Sequence, residues 1–254
     1  MSSVSAAAPN SHWPYPRFIA HRGGGTLAPE NTLAGFREAR HFCFQGIETD
    51  VMLTADGAAV LSHDPVLGRV VKSASPVASL SLKEIKTLDA GSLTAQKWAG
   101  ERIPTLEEAI EACEANGLFM NIEIKPASES AAQATAQETV RIVRKLFEGK
   151  SLPLLSSFSR NALAAAAVEA PEMPRGLLLE GIPTDWKEAC MKLAVKTVHP
   201  DWQSVTPDFV EEAHAMGLGV MCYTVDSPDT ADALFTLGVD AVCTNRLDLF
   251  TDCR

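Results

Sequence analysis

The sequence lacks the features of a membrane protein or a disulfide-bonded secreted domain. Its six cysteines form no C-x-x-C pair, none has a histidine at zinc-finger spacing, and several lie inside apolar runs. No apolar stretch approaches the about 18 residues of a membrane span. The first residues have neither a basic segment nor an apolar core of signal-peptide length. We therefore expect a cytoplasmic protein with buried free thiols and no membrane partner.

Positive charge is also scarce. The chain has 22 Lys and Arg against 32 Asp and Glu, a net charge of −10, so it is a poor non-specific ligand for nucleic acid or anionic membranes. G-x-G-x-x-G and G-x-x-x-x-G-K motifs are missing, which excludes the common nucleotide-binding fingerprints. If the substrate is an anion, the positive field around it has to be local, from a metal ion and a few basic side chains.

What the sequence does contain is a regular alternation of short apolar strands and amphipathic helices. We count eight strand–helix pairs, from the strand Arg17–Ala20 and the helix Leu33–Cys43 to the strand Val239–Cys243 and the helix Leu247–Thr251. Such alternation predicts a parallel sheet covered by helices. Eight units in 254 residues favour a closed α/β barrel, the TIM (β/α)8 fold, over an open doubly wound sheet.

The stretch from about residue 65 to 104 interrupts this alternation. It is irregular and polar, with one short helix predicted at Leu82–Asp89. We interpret it as a small insertion after the second strand, within a single domain that spans residues 1–254. Residues 1–15 are small and polar, and we expect a loose tail and a docking turn there.

Charged residues in the second predicted strand give the first indication of a site. In Ile47–Leu53, Glu48 and Asp50 point to the same face because side chains alternate along a strand. Two neighbouring carboxylates make one half of a divalent-metal site, although a solvated sheet edge is the commoner explanation of such a pair alone. A turn and a short return strand then bring His63 to the same end.

Two other predicted strands end in similar residues. His21 and Arg22 end the first strand, and Glu123 and Lys125 lie on the polar face of the third, Leu118–Lys125. Barrel active sites lie at the C-terminal ends of the strands. We therefore expect one cluster of seven residues: His21, Arg22, Glu48, Asp50, His63, Glu123 and Lys125.

The chemistry of this predicted cluster suits phosphoryl transfer. Glu48, Asp50 and Glu123 supply hard oxygen ligands for Mg²⁺ or Ca²⁺ rather than zinc. The two histidines can exchange protons near neutral pH, one as base and one as acid. Arg22 and Lys125 supply fixed positive charge for an anion. Together these groups indicate metal-assisted phosphoryl transfer rather than acyl or hydride transfer.

The motifs that carry these residues resemble the glycerophosphodiester phosphodiesterase family. They are HRGGGTLAPENT from residue 21, E-T-D at 48–50, S-H-D at 62–64 and E-I-K at 123–125. WPYP before the first strand, LLSSF at 154–158, PRGLLL at 174–179 and YTV at 223–225 are similar to the cytoplasmic bacterial members. The likeness covers nearly the whole chain, and the combination is much more specific than any single motif.

The resemblance implies a metal-dependent TIM-barrel hydrolase with one divalent ion, Mg²⁺ or Ca²⁺. Such an enzyme cuts glycerophosphodiesters, for example glycerophosphocholine or glycerophosphoethanolamine, into sn-glycerol 3-phosphate and an alcohol. A cyclic glycerol phosphate, formed by attack of the glycerol 2-hydroxyl on phosphorus, is the expected intermediate. Carried over by motif, the roles are metal binding for Glu48, Asp50 and Glu123, acid and base in an open order for His21 and His63, and substrate binding for Arg22 and Lys125.

Two alternatives stay open at this point. A lysophospholipase D-like hydrolase would need an apolar groove or a membrane-binding patch, and the sequence shows neither. A non-catalytic phosphodiester- or metal-binding domain would be expected if a histidine or a ligand were missing, but all seven are present. The oligomeric state is undetermined, a homodimer being one option.

Other polar and aromatic residues near these motifs are given mainly structural roles. Asn31 or Thr32 is expected to cap the helix that begins at Leu33, and Asn245 is interpreted as a helix cap. Asp64 either orients His63 or begins a turn. Three aromatic residues at later strand ends either contact the substrate or pack at the rim: Phe158, Trp202 and Tyr223.

Overall fold

A closed parallel barrel is the main element of the computed structural model, which describes residues 12–250. In chain order, the strands are β1 (Phe18–Ala20), β2 (Gly46–Leu53), β3 (Ala59–Leu61), β4 (Phe119–Ile124), β5 (Leu154–Ser157), β6 (Arg175–Leu179), β7 (Thr197–Pro200), β8 (Gly219–Cys222) and β9 (Ala241–Thr244). All except β3 pair in parallel, and β1 bonds to both β2 and β9, which closes the sheet. The TIM-barrel prediction is therefore confirmed.

Helices cover the outside of the barrel. They are α1 (Leu33–His41), α2 (Leu82–Ile85), α3 (Leu106–Asn116), α4 (Ala132–Leu146), α5 (Arg160–Glu169), α6 (Trp186–Leu193), α7 (Pro207–Ala215) and α8 (Pro228–Thr236). Several begin at side-chain caps, and Thr105 with Glu108 forms a complete capping box at α3. Within residues 12–250, no helix combines the length and the apolarity that crossing a membrane requires.

Two of the predicted helices were wrong in length or type. The helix expected at Leu82–Asp89 ends at Ile85, and Lys86 is its C-cap. The last helix, expected at Leu247–Thr251, is a single 3₁₀ turn at Leu247–Leu249, and its predicted end lies outside the described residues. The last strand, β9, is therefore not followed by a full α-helix within the part of the chain that the structure describes.

The segment between β3 and α3 has a small hydrophobic cluster of its own. β3 pairs antiparallel with the outer end of β2, so the two form a hairpin that rises from the barrel. Met52 and Val60 from this hairpin pack against apolar side chains of the segment: Leu67, Val71, Val77, Ile85, Ala90 and Ile103. The segment is thereby held beside the C-terminal end of β2.

The opposite end of the barrel is closed by the turn that precedes β1. Trp13 is buried against interior residues such as Ile19 and Leu154, and its indole nitrogen donates to the Pro16 carbonyl at 3.0 Å. This is the predicted docking turn, whereas the predicted tail, residues 1–11, lies outside the described residues.

The described cysteines are all free, in line with the prediction of thiols rather than disulfides. Four are buried, but Cys43 is exposed just after α1, and Cys253 lies outside the described residues.

Candidate active site

The seven predicted site residues meet at the C-terminal end of the barrel. The strand register places Glu48 beside Asn121 and Asp50 beside Glu123, and laterally paired residues of parallel strands share a face. A cavity of about 190 Å³ is lined by six of the seven, and the seventh, Asp50, is buried in contact with Lys125. The structure thus brings together every residue that the motifs singled out, although Glu48 and Asp50 lie inside β2 rather than at its end.

Three buried carboxylates lie close together at this cavity. Glu48, Asp50 and Glu123 each offer an oxygen atom within 4.8 Å of the others. Burial, with Asp50 and Glu123 as like charges, raises the pKa of Glu48 well above its usual value. Burial and Asp50 likewise raise the pKa of Glu123 to about 8. Such a cluster is unfavourable until a cation neutralises it.

The donor set of this triad fits a divalent cation. It consists of carboxylate oxygens without cysteine or histidine, which suits Mg²⁺ or Ca²⁺. Glu48 Oε1 is fully buried and has no hydrogen-bond partner among residues 12–250. Its second oxygen accepts the backbone N–H of Arg22 at 3.0 Å, which fixes the orientation of the carboxylate. An unpaired buried carboxylate oxygen is expected where a metal ligand is held in place.

Lys125 stands between the carboxylates and keeps Asp50 ionised. Its Nζ lies 3.1 Å from Asp50 Oδ1 and 3.5 Å from Glu123 Oε1. Burial alone would raise the pKa of Asp50, but Lys125 and other nearby positive groups lower it to about 2. Asp50 is thus the permanently charged member of the triad.

Asn31 orients Asp50 rather than capping a helix. Its Nδ2 donates to Asp50 Oδ2 at 2.8 Å, and its Oδ1 accepts from Thr49 Oγ1 at 2.6 Å and from the Asp50 backbone N–H at 3.1 Å. Thr32 is the residue that caps α1. Asn31 has φ +54°, a left-handed conformation that asparagine tolerates better than most residues.

His21 is held as a neutral imidazole with one nitrogen free for the cavity. Burial, followed by the charge of Arg22, lowers its pKa to about 4. Its Nδ1 lies 2.7 Å from Asn245 Oδ1, and Asn245 uses its own amide N–H to bond Asp226 at 3.1 Å. The Asn245 oxygen therefore accepts from His21 Nδ1–H, and Nε2 is left as the proton acceptor. The interpretation of Asn245 as a helix cap was wrong.

The Nδ1 atom of His63 is supported by a carboxylate, whereas that of His21 is supported by an amide. Its Nδ1 lies 2.7 Å from Asp64 Oδ1, so Asp64 takes the orienting role of the two left open. Burial lowers the pKa of His63, while the nearby Asp50 opposes that change. A carboxylate behind an imidazole stabilises its protonated form. The two histidines thus differ in the groups that support them.

Arg69, from the predicted insertion, supports both sides of the site. Its guanidinium forms a two-pronged contact with the Glu30 carboxylate, and its Nε donates to Asp64 Oδ2 at 2.7 Å. Glu30 in turn bonds Arg22 Nη1 at 3.1 Å. One side chain therefore connects the partner of His63 with the partner of Arg22. Nothing in the local sequence around Arg69 indicated this role.

The other half of the cavity wall is apolar. It is formed by Phe158, Leu178, Met221, Tyr223 and Cys243. Phe158 is 43% exposed at the mouth and meets the Tyr223 ring edge-on at 5.8 Å. The Tyr223 hydroxyl donates to the Leu179 carbonyl at 2.8 Å, so its ring is fixed in place. Trp202, the third aromatic candidate, is not among the lining residues.

Comparison with known proteins supports the chemistry suggested by this geometry. The model of the "Glycerophosphoryl diester phosphodiesterase family" matches residues 21–249. A glycerophosphodiester phosphodiesterase from Caldanaerobacter subterraneus subsp. tengcongensis is 34% identical over 228 residues, covering 89% of this chain and 93% of that protein. Neither alternative raised from the sequence is favoured by these matches.

Solved structures show the same relationship. A phosphodiesterase from Oleispira antarctica in complex with the product sn-glycerol-3-phosphate superposes with a TM-score of 0.90 and 33% identity, covering 94% of this chain and 96% of that one. A glycerophosphodiester phosphodiesterase from Agrobacterium tumefaciens gives a TM-score of 0.79 and 27% identity over 93% of this chain and 99% of its own. The chain therefore belongs to the glycerophosphoryl diester phosphodiesterase family.

Proposed function

We propose that this phosphoric diester hydrolase cleaves glycerophosphodiesters into sn-glycerol 3-phosphate and an alcohol, with the help of one divalent metal ion. The observation that carries the proposal is the juxtaposition, in one cavity, of a buried carboxylate triad, two differently supported histidines and two cations. A related solved structure that holds sn-glycerol-3-phosphate supports the choice of substrate class.

Glu48, Asp50 and Glu123 would hold the ion, Mg²⁺ or Ca²⁺. When bound, it would supply Lewis-acid polarisation of the phosphate and of a glycerol hydroxyl. Arg22 and Lys125 lie near different oxygens of Asp50, and both line the cavity, so a phosphate bound there would contact both cations. Their fixed charge stabilises the additional negative charge that the phosphoryl oxygens carry in the transition state.

His21 would serve as the base and His63 as the acid. His21 presents an unprotonated Nε2 on the side of Glu48, 3.8 Å from Glu48 Oε2. It would take the proton of the glycerol 2-hydroxyl, whose oxygen then bonds to phosphorus as the bond to the leaving alcohol breaks. His63, backed by the Asp64 carboxylate, would give its proton to that alcohol oxygen. Water then opens the cyclic glycerol phosphate, with the two roles reversed.

The activity itself is tested with glycerophosphocholine and a coupled glycerol 3-phosphate dehydrogenase. We expect NADH to form with Mg²⁺ or Ca²⁺, to stop with EDTA, and to be lost in His21→Ala. The matched control is His41→Ala, since His41 is an exposed histidine at the end of α1. If no product forms with either ion and several head groups, the proposal fails; release of choline from lysophosphatidylcholine would then support the lysophospholipase D-like alternative.

The histidine roles are tested with a substrate whose leaving group needs no proton. In a single turnover on sn-glycero-3-phospho-4-nitrophenol, His63→Ala should release nitrophenol within about tenfold of the wild-type rate, whereas His21→Ala should be at least about 100-fold slower. On glycerophosphocholine both variants should lose at least about 100-fold in kcat. The opposite pattern would reverse the assignment. Normal hydrolysis of a substrate without the 2-hydroxyl would contradict the cyclic route.

A further inference from the structure

Two buried polar side chains line the cavity without any assigned role. Asn121 is 1% exposed and Ser156 is fully buried. Both amide atoms of Asn121 and the hydroxyl of Ser156 lack a hydrogen-bond partner within the region that the structure describes. Leaving a buried polar group unpaired costs about 1–3 kcal/mol. Three such atoms on one cavity wall indicate that this wall is built to bind a polar group.

The strand register places both residues directly beside the carboxylate triad. Asn121 on β4 is paired with Glu48 on β2, and Ser156 on β5 is paired with Glu123 on β4. The next residue, Ser157, alternates to the other side of β5 and donates its hydroxyl to the Ile124 carbonyl. The unpaired atoms are thus confined to the face of the strands that lines the cavity.

The surroundings indicate a neutral ligand with a short carbon chain. Leu178, on the strand next to β5, and Met221 line the same cavity with apolar side chains. An amide and a hydroxyl each offer both a donor and an acceptor, which is the pattern that an alcohol group satisfies.

We propose that Asn121 and Ser156 form a subsite for the terminal hydroxyl of the glycerol group, and so help to select glycerol over shorter or deoxygenated alcohols. This inference rests on the proposed function, because it assumes that the phosphate lies at Arg22 and Lys125. The glycerol hydroxyl would donate to Asn121 Oδ1 and accept from Ser156 Oγ–H. Its carbon chain would lie against the apolar wall.

The test compares two substrates that differ by one hydroxyl. They are glycerophosphocholine and the phosphocholine ester of propane-1,2-diol, which keeps the 2-hydroxyl but lacks the terminal one. Choline oxidase measures the product that both share. We expect wild-type kcat/KM to be roughly 10- to 100-fold higher for glycerophosphocholine, the range given by one or two unmade buried hydrogen bonds.

Variants then separate a binding role from a structural one. Ser156→Ala and Asn121→Leu should each reduce the substrate preference at least fivefold, mainly by lowering kcat/KM for glycerophosphocholine. Ser157→Ala is the matched control: it removes a buried hydroxyl of the same strand on the other face, and the preference should be unchanged. Only the preference is diagnostic, since a variant that merely folds less well loses both activities equally.

Two outcomes would overturn the subsite. The first is equal hydrolysis of the two substrates by the wild type. The second is an unchanged preference in Ser156→Ala and Asn121→Leu, which would mean that the two side chains bind only structural water. Failure of the wild type to release choline from either substrate would instead show that the proposed function is wrong, and the subsite with it.

Discussion

Replacing Glu123 by glutamine should stabilise the metal-free protein and remove its response to metal. Glu123 is buried beside Asp50, and burial followed by that like charge raises its pKa to about 8. Because the native state then binds more protons than the unfolded chain between about pH 4.5 and 8, stability without metal falls as the pH rises through this window. Glutamine cannot ionise, so Glu123→Gln removes this loss.

The size of the effect follows from the pKa difference. At pH 7 the shift of the Glu123 pKa from 4.5 to about 8 destabilises the metal-free native state by about 3 kcal/mol. This is less than the full shift would give, because pH 7 lies below the native pKa. Loss of the 3.5 Å contact between Glu123 and Lys125 offsets part of the gain from Glu123→Gln, although Lys125 keeps Asp50 at 3.1 Å. We therefore expect a gain of about 2 kcal/mol in EDTA, which raises Tm by roughly 4–8 °C in a chain of this size.

Bound metal should make the wild type more stable than Glu123→Gln. At about 100 times its Kd, an ion that binds only the native state adds about 2.7 kcal/mol to wild-type stability, while Glu123→Gln has lost one of three carboxylate ligands and gains little. Thermal unfolding is recorded in EDTA and in Mg²⁺ or Ca²⁺ at pH 6, 7 and 8. Glu148→Gln, at an exposed glutamate after α4, should behave as the wild type. A Glu123→Gln protein that is less stable in EDTA, or equally stabilised by metal, would refute the reasoning.

Three further variants test the groups that support the site and the core. Arg69→Ala frees Asp64, the partner of His63, so kcat should fall about tenfold with KM changed less than about threefold. Arg69→Lys should recover part of the lost kcat, and an unchanged kcat in Arg69→Ala would contradict the supporting role of Arg69. Asn245→Ala removes the acceptor behind His21, and we expect a loss of roughly 10- to 100-fold in kcat/KM, measured on glycerophosphocholine; wild-type activity would mean that the contact does not matter. Burial lowers the pKa of His199 to about 3, so the unfolded chain takes up a proton first on acidification. Between pH 7 and 5 the wild type should lose about 2 kcal/mol through this group, measured by urea unfolding, and an equal loss in His199→Gln would exclude it as the cause.

Much of the site was predictable because its residues lie in short motifs within or just after the first strands of the barrel. A parallel barrel places all strand ends on one rim, so His21, Glu48 and Glu123 had to approach one another once the fold was known. The roles predicted for these residues are still proposals; their proximity is observed.

The residues that sequence reasoning missed are those whose partners lie far along the chain. Asn245 meets His21 only because β9 pairs with β1 when the barrel closes. Arg69 meets Glu30, 39 residues away along the chain, because the segment that carries Arg69 packs on the β2–β3 hairpin. Neither position has a local pattern that distinguishes a surface residue from a supporting one.

The sequence by itself determined the class of fold, the family and the identity of the charged groups, since these depend on alternation, spacing and motifs. Tertiary structure alone decided which buried atoms are paired. Within residues 12–250 it left both amide atoms of Asn121, the hydroxyl of Ser156 and Glu48 Oε1 without hydrogen-bond partners, while the hydroxyl of neighbouring Ser157 is paired. Hydrogen bonding depends on distances of a few tenths of an ångström between side chains of different strands, and such distances exist only after the barrel has closed.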